Sequence, residues 1–243
     1  MSRRVPTQNL ATSAARVRPR RDAWASQAAW VRAIVIGTEG EDPVYDAADA
    51  MPATSVRCGI VDIHVPTAIA NGIAWAEHEA SHGTDLLVVA VPGDDTKALA
   101  LIALLSGVTP SVLAAPARVG AVEAYLPGIA AYADDPQRAI EELHQPATGH
   151  AAGFLLEAAA RGVPVLLDGV GALAAALAAA AVAPDAAGWW QLADTSNAPA
   201  VALVAERLGL HSVLSTGGAT GDGVAGLHAA DALRGRTPDR VPA

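Results

Sequence analysis

Apolar, β-branched runs alternate along this chain with alanine-rich stretches of helical length, and that alternation restricts its fold more than anything else in the sequence. The runs are RAIVIG (Arg32 to Gly37), CGIVDIHVP (Cys58 to Pro66), DLLVVAVPG (Asp85 to Gly93), PVLLDG (Pro164 to Gly169) and SVLSTGG (Ser212 to Gly218). Largely unbroken apolar strands need cover on both faces, and strands separated by helices pair in parallel. Spacing of alanine and leucine predicts the covering helices over Pro66 to His82, Thr96 to Ser106, Gly149 to Arg161, Gly171 to Val182 and Ala198 to Leu208. The expected fold class is therefore α/β: a doubly wound, mostly parallel, Rossmann-like sheet with helices on both faces. Ligands of such sheets bind beyond the carboxyl ends of the strands, so glycine turns that follow strands should share one rim.

One α/β domain over residues 31–235, with room for a small helical annex, accounts for most of the 243 residues, leaving a basic arm and the start of a first helix at 1–30 and a tail at 236–243. The formal net charge of -9 argues against a nucleic-acid groove on the body of the protein. Arg3, Arg4, Arg16, Arg18, Arg20 and Arg21 all precede the first acidic residue, Asp22, and read as a solvated, frayed arm. The single cysteine, Cys58, reads as a small core residue; it excludes an intrachain disulfide and a CxxC metal knuckle, in keeping with a reducing cytoplasm. No N-terminal segment reads as a signal peptide, and the run Ala172 to Ala183 is too short to span a bilayer, so a soluble protein without membrane contact is expected.

Three turns carry the candidate chemistry. In VPGDDTKALAL a strand breaks at Gly93 and a helix opens near Asp94, Asp95 or Thr96, followed by Lys97, the only lysine of the chain. Glycine and free N–H groups suit a phosphate, whereas two carboxylates repel one, so helix capping and ligand binding both remain open here. In LLDGVGALAAAL, Asp168 ends a strand and Gly169 and Gly171 open a helix; the carboxylate reads either as a cap or as a partner for a ribose hydroxyl. In STGGATGDGVAG, Gly217, Gly218, Gly221, Gly223 and Gly226 bracket one carboxylate, Asp222, held among backbone donors near a helix start, where it could serve as a general base.

His78, Glu79 and His82 spell HEASH, which satisfies the zinc-protease pattern HExxH. Gly83 follows as a helix stop and no third ligand stands at a familiar distance, so a chance match is the better reading and no metal is expected. His64, His144, His150, His211 and His228 are scattered and read as surface or partly buried residues with satisfied rings. Trp189 and Trp190 read as packing or dimer-contact residues or as the wall of an aromatic-base pocket.

From about Gly72 to Leu233 the order of these motifs resembles the nicotinate-nucleotide:dimethylbenzimidazole phosphoribosyltransferase family. Gly83, Asp85, Leu86 and Leu87 fall on the family's G-x-D-L-L strand, and Gly93, Asp94, Asp95 and Thr96 on the G-N-T-T of its GIGNTT turn. PVLLDG matches almost letter for letter, and Ala219 to Ala225 falls on R-L-G-E-G-T-G. The resemblance implies transfer of phosphoribose from nicotinate mononucleotide to a benzimidazole-type base, in a cytoplasmic homodimer without cofactor. Asp222 would take the role of the family's glutamate base; Gly93, Asp94, Asp95, Thr96, Asp168, Gly169, Gly221 and Gly223 would line the phosphate and ribose subsites. The chain departs from the pattern in several places. Asp222 replaces a glutamate, Ala219 an arginine, and DTSNAPA (Asp194 to Ala200) the H-x-S-x-E-P-G-H segment; the GIGNTT turn is acidic, and the family's N-terminal third, with its D-H-G strand, has no recognisable counterpart. These departures leave a second expectation, a catalytically silent relative that binds a nucleotide or aromatic base as a regulatory or partner subunit.

Overall fold

A computed structural model describes residues 9–19, 30–37, 43–51, 54–59 and 64–235. Arg3, Arg4, Arg20, Arg21, the tail at 236–243 and the Cys58 side chain lie outside what it describes. Strands β1 (Val31–Ile36), β2 (Thr54–Gly59), β3 (Leu86–Ala90), β4 (Val165–Asp168), β5 (Trp190–Asp194) and β6 (Ser212–Leu214) form one sheet in the order β2-β1-β3-β4-β5-β6. Every pairing in it is parallel. The fold class is the doubly wound α/β sheet expected from the sequence, and its strand order reverses between β1 and β3.

The central strands are apolar on both sides because both faces are covered. Ile34, Ile36, Leu87, Val89, Val165 and Leu167 point into one core, under the helices Val65–Ser81, Thr96–Ser106, Pro146–Arg161, Gly169–Val182 and Pro199–Leu208. Val31, Ala33, Val35, Leu86, Val88 and Leu166 point the other way, under two helices among the described residues, Pro43–Asp49 and Val224–Gly235. The alanine-rich helix Gly169–Val182 is buried from Gly169 to Ala180. A helix apolar all round belongs inside the protein, and alanine lets its neighbours approach closely. Closer still is the contact between Val65–Ser81 and Pro146–Arg161, where a Cβ on Gly72 would lie 2.0 Å from the His150 carbonyl oxygen and one on Gly153 2.5 Å from that of Ile69.

Three expectations change. Of the strand read at Cys58 to Pro66, residues 60–63 lie outside the described residues; the described strand is Thr54–Gly59, an edge strand with a more polar sequence than the buried ones, and Val65 already opens a helix with Pro66 in its first turn, where proline's missing N–H costs nothing. A strand that was not expected, β5, inserts Trp190 into the core at 2 % exposure, so that ring is a packing residue. Its neighbour Trp189 is half-buried and donates its Nε1 hydrogen to the Arg18 carbonyl at 2.9 Å. Residues 9–19 are not a frayed arm. Leu10 and Val17 join the core, Ser13 Oγ donates to Glu157 Oε2 at 2.7 Å, and Arg16 pairs with the same carboxylate. Glu157 is fully buried, and a buried charge needs such partners; Arg161 Nε supplies another at 2.8 Å.

Between the helices Thr96–Ser106 and Pro146–Arg161 lies an annex of short helical segments, Pro110–Leu113, Pro116–Glu123, Leu126–Ile129, Ala130–Tyr132 and Pro136–Glu142. Most of them begin with proline in the first turn, and through Arg118 and Tyr125 the annex reaches the turn that follows β3.

Candidate functional site

The three glycine turns do follow β3, β4 and β6 at the carboxyl end of the sheet. At the point where the strand order reverses, a cavity of ≈ 340 Å³ is lined by Gly37, Gly93, Asp95, Lys97, Tyr125 and Thr148, among others. This is where open α/β sheets bind ligands. A larger cavity, ≈ 700 Å³, lies beside it between His64, Glu141 and His144 and contains none of the residues singled out in the glycine turns. Asp222 lines neither cavity. It stands close by on the rim: Gly171 borders the smaller cavity, and Gly169, two residues earlier, touches Gly221.

In the first turn Asp95, the N-cap residue, makes no side-chain cap, and Asp94 closes on Thr96 with part of its charge neutralised. Asp94 Oδ1 accepts hydrogen bonds from Thr96 N at 3.0 Å and Thr96 Oγ1 at 2.7 Å. Arg118, from the annex, reaches the same oxygen at 2.7 Å. The Thr96 hydrogen bonds and then Arg118 hold the Asp94 carboxyl below the usual range, while partial burial pushes Asp95 above it. Lys97 Nζ sits 5.7 Å from the Tyr125 ring centroid, so the annex supplies both a cation for the turn and an aromatic face for the lysine.

The second and third turns are one structure. Asp168 does not cap its own helix, and its carboxylate is fully buried. It accepts the N–H groups of Gly221 at 3.2 Å, Gly223 at 3.0 Å and Gly226 at 3.4 Å. Burial first, and then the Asp222 carboxylate nearby, push Asp168 up to about 6 against the pull of those three donors. The N–H groups of Gly221 and Gly223, expected from the sequence to face a phosphate, therefore point inwards. Backbone approach is close enough to require glycine here: Gly169 has φ +82, and a Cβ on it would lie 2.3 Å from Gly221 Cα. Asp222 Oδ1 accepts from Val224 N at 2.9 Å, capping the last helix, and Oδ2 accepts no hydrogen bond among the described residues.

Asp194, at the end of β5, is a site-forming residue that motif reading passed over. Its carboxylate accepts Thr216 N at 2.8 Å, Gly218 N at 3.1 Å and the Thr216 hydroxyl. Burial alone would raise it, but the Thr216 and Gly218 hydrogen bonds outweigh burial and hold it low. A carboxylate ending the apolar run WWQLAD was the available signal.

The HEASH segment does not assemble a metal centre. His78 and His82 stack at 4.0 Å between ring centroids on an exposed helix end. Glu79 faces the core, bound to Arg32 Nε at 3.0 Å and to the Thr84 hydroxyl at 3.1 Å, so it cannot serve as base for a water held between the two imidazoles. His150 also departs from expectation: it is buried edge-on against Trp75, with no partner for Nε2 among the described residues, and burial pushes its pKa down to about 4.

His150 and Asp168 oppose each other on acidification. A histidine lowered to about 4 contributes stability that is complete above pH 6.5 and lost as pH falls towards 4. An aspartate raised to about 6 is most favourable below its ordinary 3.8, and that stability is lost as pH rises through 6. His150→Phe should therefore gain about 2 kcal/mol over the parent between pH 7 and pH 5, a relative rise in Tm of roughly 4–8 °C. Melting curves at the two pH values test this, and parallel shifts in both proteins would refute it.

Comparisons with known proteins bear on the identity of this rim. A family model described as "Phosphoribosyltransferase" matches residues 61–235. A nicotinate-nucleotide–dimethylbenzimidazole phosphoribosyltransferase of Streptomyces avermitilis is 34% identical over 205 residues, covering 74% of this chain and 55% of the relative. Its namesake in Streptomyces coelicolor is 36% identical over 169 residues, covering 64% and 47%. The chain thus spans about half the length of the curated relatives it matches. In fold, the crystal structure of the Thermus thermophilus enzyme of that name matches with a TM-score of 0.70 at 20% identity, over 93% of this chain and 87% of that one. That likeness extends N-terminally past residue 61, where the family match begins. Among the described residues no helix is long and apolar enough to cross a membrane. With the family match over most of its length and relatives above 30% identity, the chain belongs to this phosphoribosyltransferase family.

Proposed function

We propose that the protein transfers phosphoribose from nicotinate mononucleotide to 5,6-dimethylbenzimidazole or a similar aromatic base, with Asp222 as the general base. The observation that carries this reading is the placement of Asp222. It lies in a glycine loop at the carboxyl rim, one oxygen bonded at a helix start and the other without a hydrogen bond among the described residues, and the loop touches Gly169 of the helix whose Gly171 borders the cavity at the strand-order reversal. Asp222 takes the proton from one nitrogen of the acceptor. The other nitrogen attacks the ribose anomeric carbon, and the bond to the pyridinium nitrogen breaks with its electron pair returning to nicotinate. Inversion at that carbon follows. A cationic leaving group needs little acid assistance, so one well-placed base suffices.

In this reading the turn Gly93, Asp94, Asp95 and Thr96 takes the phosphate end, with Arg118 and Lys97 offsetting its carboxylates. Asp168, Gly169, Gly221 and Gly223 form the floor beneath the sugar. The protein acts as a cytoplasmic homodimer without cofactor, metal or nucleic acid.

Incubation of the purified protein with nicotinate mononucleotide and 5,6-dimethylbenzimidazole, followed by chromatography and calorimetry, should show nicotinate released in step with a new nucleoside phosphate. Binding heat without release would replace the reading with that of a silent, ligand-binding relative, and neither signal would dismiss both.

A further inference from the structure

We propose that Asp168 is the positioning residue for Asp222: a buried carboxylate at the end of β4 that grips the backbone on both sides of the base and fixes where its side chain meets the ligand. The inference rests on the transferase reading for its kinetic consequence, though not for its structural one.

Asp168 Oδ1 takes the N–H of Gly221 and Oδ2 that of Gly223, the residues immediately before and after Asp222, with Gly226 completing the set. A glycine-rich loop has little of its own to hold one conformation, and hydrogen bonds to an ionised acceptor are about twice as strong as neutral ones. Gly169 and Gly221 meet backbone to backbone, so the grip leaves no room for a side chain between strand end and loop. Asp194 holds the earlier half of the same loop through Thr216 and Gly218. Asp222 stands between two of the residues so held, so its position follows from theirs. Being fully buried, Asp168 is placed to act through that backbone and not on a ligand.

Two measurements test this. In the wild-type protein, the Gly221, Gly223 and Gly226 amides should exchange with solvent deuterium at least about tenfold more slowly than the neighbouring Thr220 amide. Equal rates would overturn the grip without any variant being made. Asp168→Asn places an amide donor where an acceptor is needed; with its circular dichroism unchanged, exchange at the three glycines should speed up while β3 amides stay protected. The kcat for nicotinate release should fall about tenfold or more with KM within about twofold. A raised KM with unchanged kcat would make Asp168 a ligand-binding residue and overturn the proposal. If the wild-type protein releases no nicotinate, the transferase reading fails alone, and exchange still decides whether Asp168 holds the loop.

Discussion

Asp222→Asn is expected to slow nicotinate release by about two to four orders of magnitude, the range over which a general base commonly acts, while KM and Tm stay close to those of the parent. The asparagine side-chain oxygen can still accept the Val224 N–H that Asp222 accepts at 2.9 Å, so the helix cap and the loop survive. What is lost is the ability to take a proton. Steady-state kinetics with both substrates, beside a thermal melt, separate the two effects. Undiminished kcat in the variant would remove Asp222 from the chemistry.

Gly72→Ala is expected to be among the most damaging single methyl additions in the fold. Its Cβ would sit 2.0 Å from the His150 carbonyl oxygen, a backbone atom in the middle of a helix that cannot swing aside. Overpacking a tight interior commonly costs about 1–3 kcal/mol, and this position belongs at the upper end, a fall in Tm of roughly 6–12 °C for a chain of this size. Gly153→Ala would strike the same seam from the other helix, 2.5 Å from the Ile69 carbonyl oxygen. The two should couple strongly, because once the helices have been pushed apart the second methyl meets less resistance. Unchanged melting of Gly72→Ala would mean that the helices are not this close. Helix Pro146–Arg161 also lines the ligand cavity near its first turn, so any such shift should weaken ligand binding as well.

The elements most legible from the sequence are those whose local signals and tertiary surroundings agree. Helix Thr96–Ser106 has the predicted bounds, and PVLLDG gives β4, because unbroken apolar runs between glycine turns have no stable place except a covered sheet. The edge strand β2 is displaced from its expected position because its sequence, TSVRCG, lacks the unbroken apolar run that marks the central strands. β5 escapes the pattern because two tryptophans invite a functional reading where one of them simply fills the core. In the site, the glycine loops and Asp222 are visible as motifs. The partners of Asp168 are not: they lie 53, 55 and 58 residues further along, and only the parallel sheet brings them to the end of β4. The HEASH segment shows the converse. Spacing of four residues puts two imidazoles on one face, but the glutamate beside them turns inward to meet Arg32, a partner no local pattern announces.

The thin side of the sheet has a consequence for how the chain is made. Helix Val224–Gly235 is one of two covers among the described residues over Val31, Val35, Leu86, Val88 and Leu166, and it begins at the loop that carries Asp222. During synthesis that helix leaves the ribosome after every strand of the sheet. Until it docks, that apolar face is only partly covered and the Asp222 carboxylate lacks the Val224 N–H it accepts. Cover for that face and a fixed place for Asp222 therefore arrive in a single late step, and a stop codon shortly before residue 224 should yield a product prone to aggregate and, on the transferase reading, inactive.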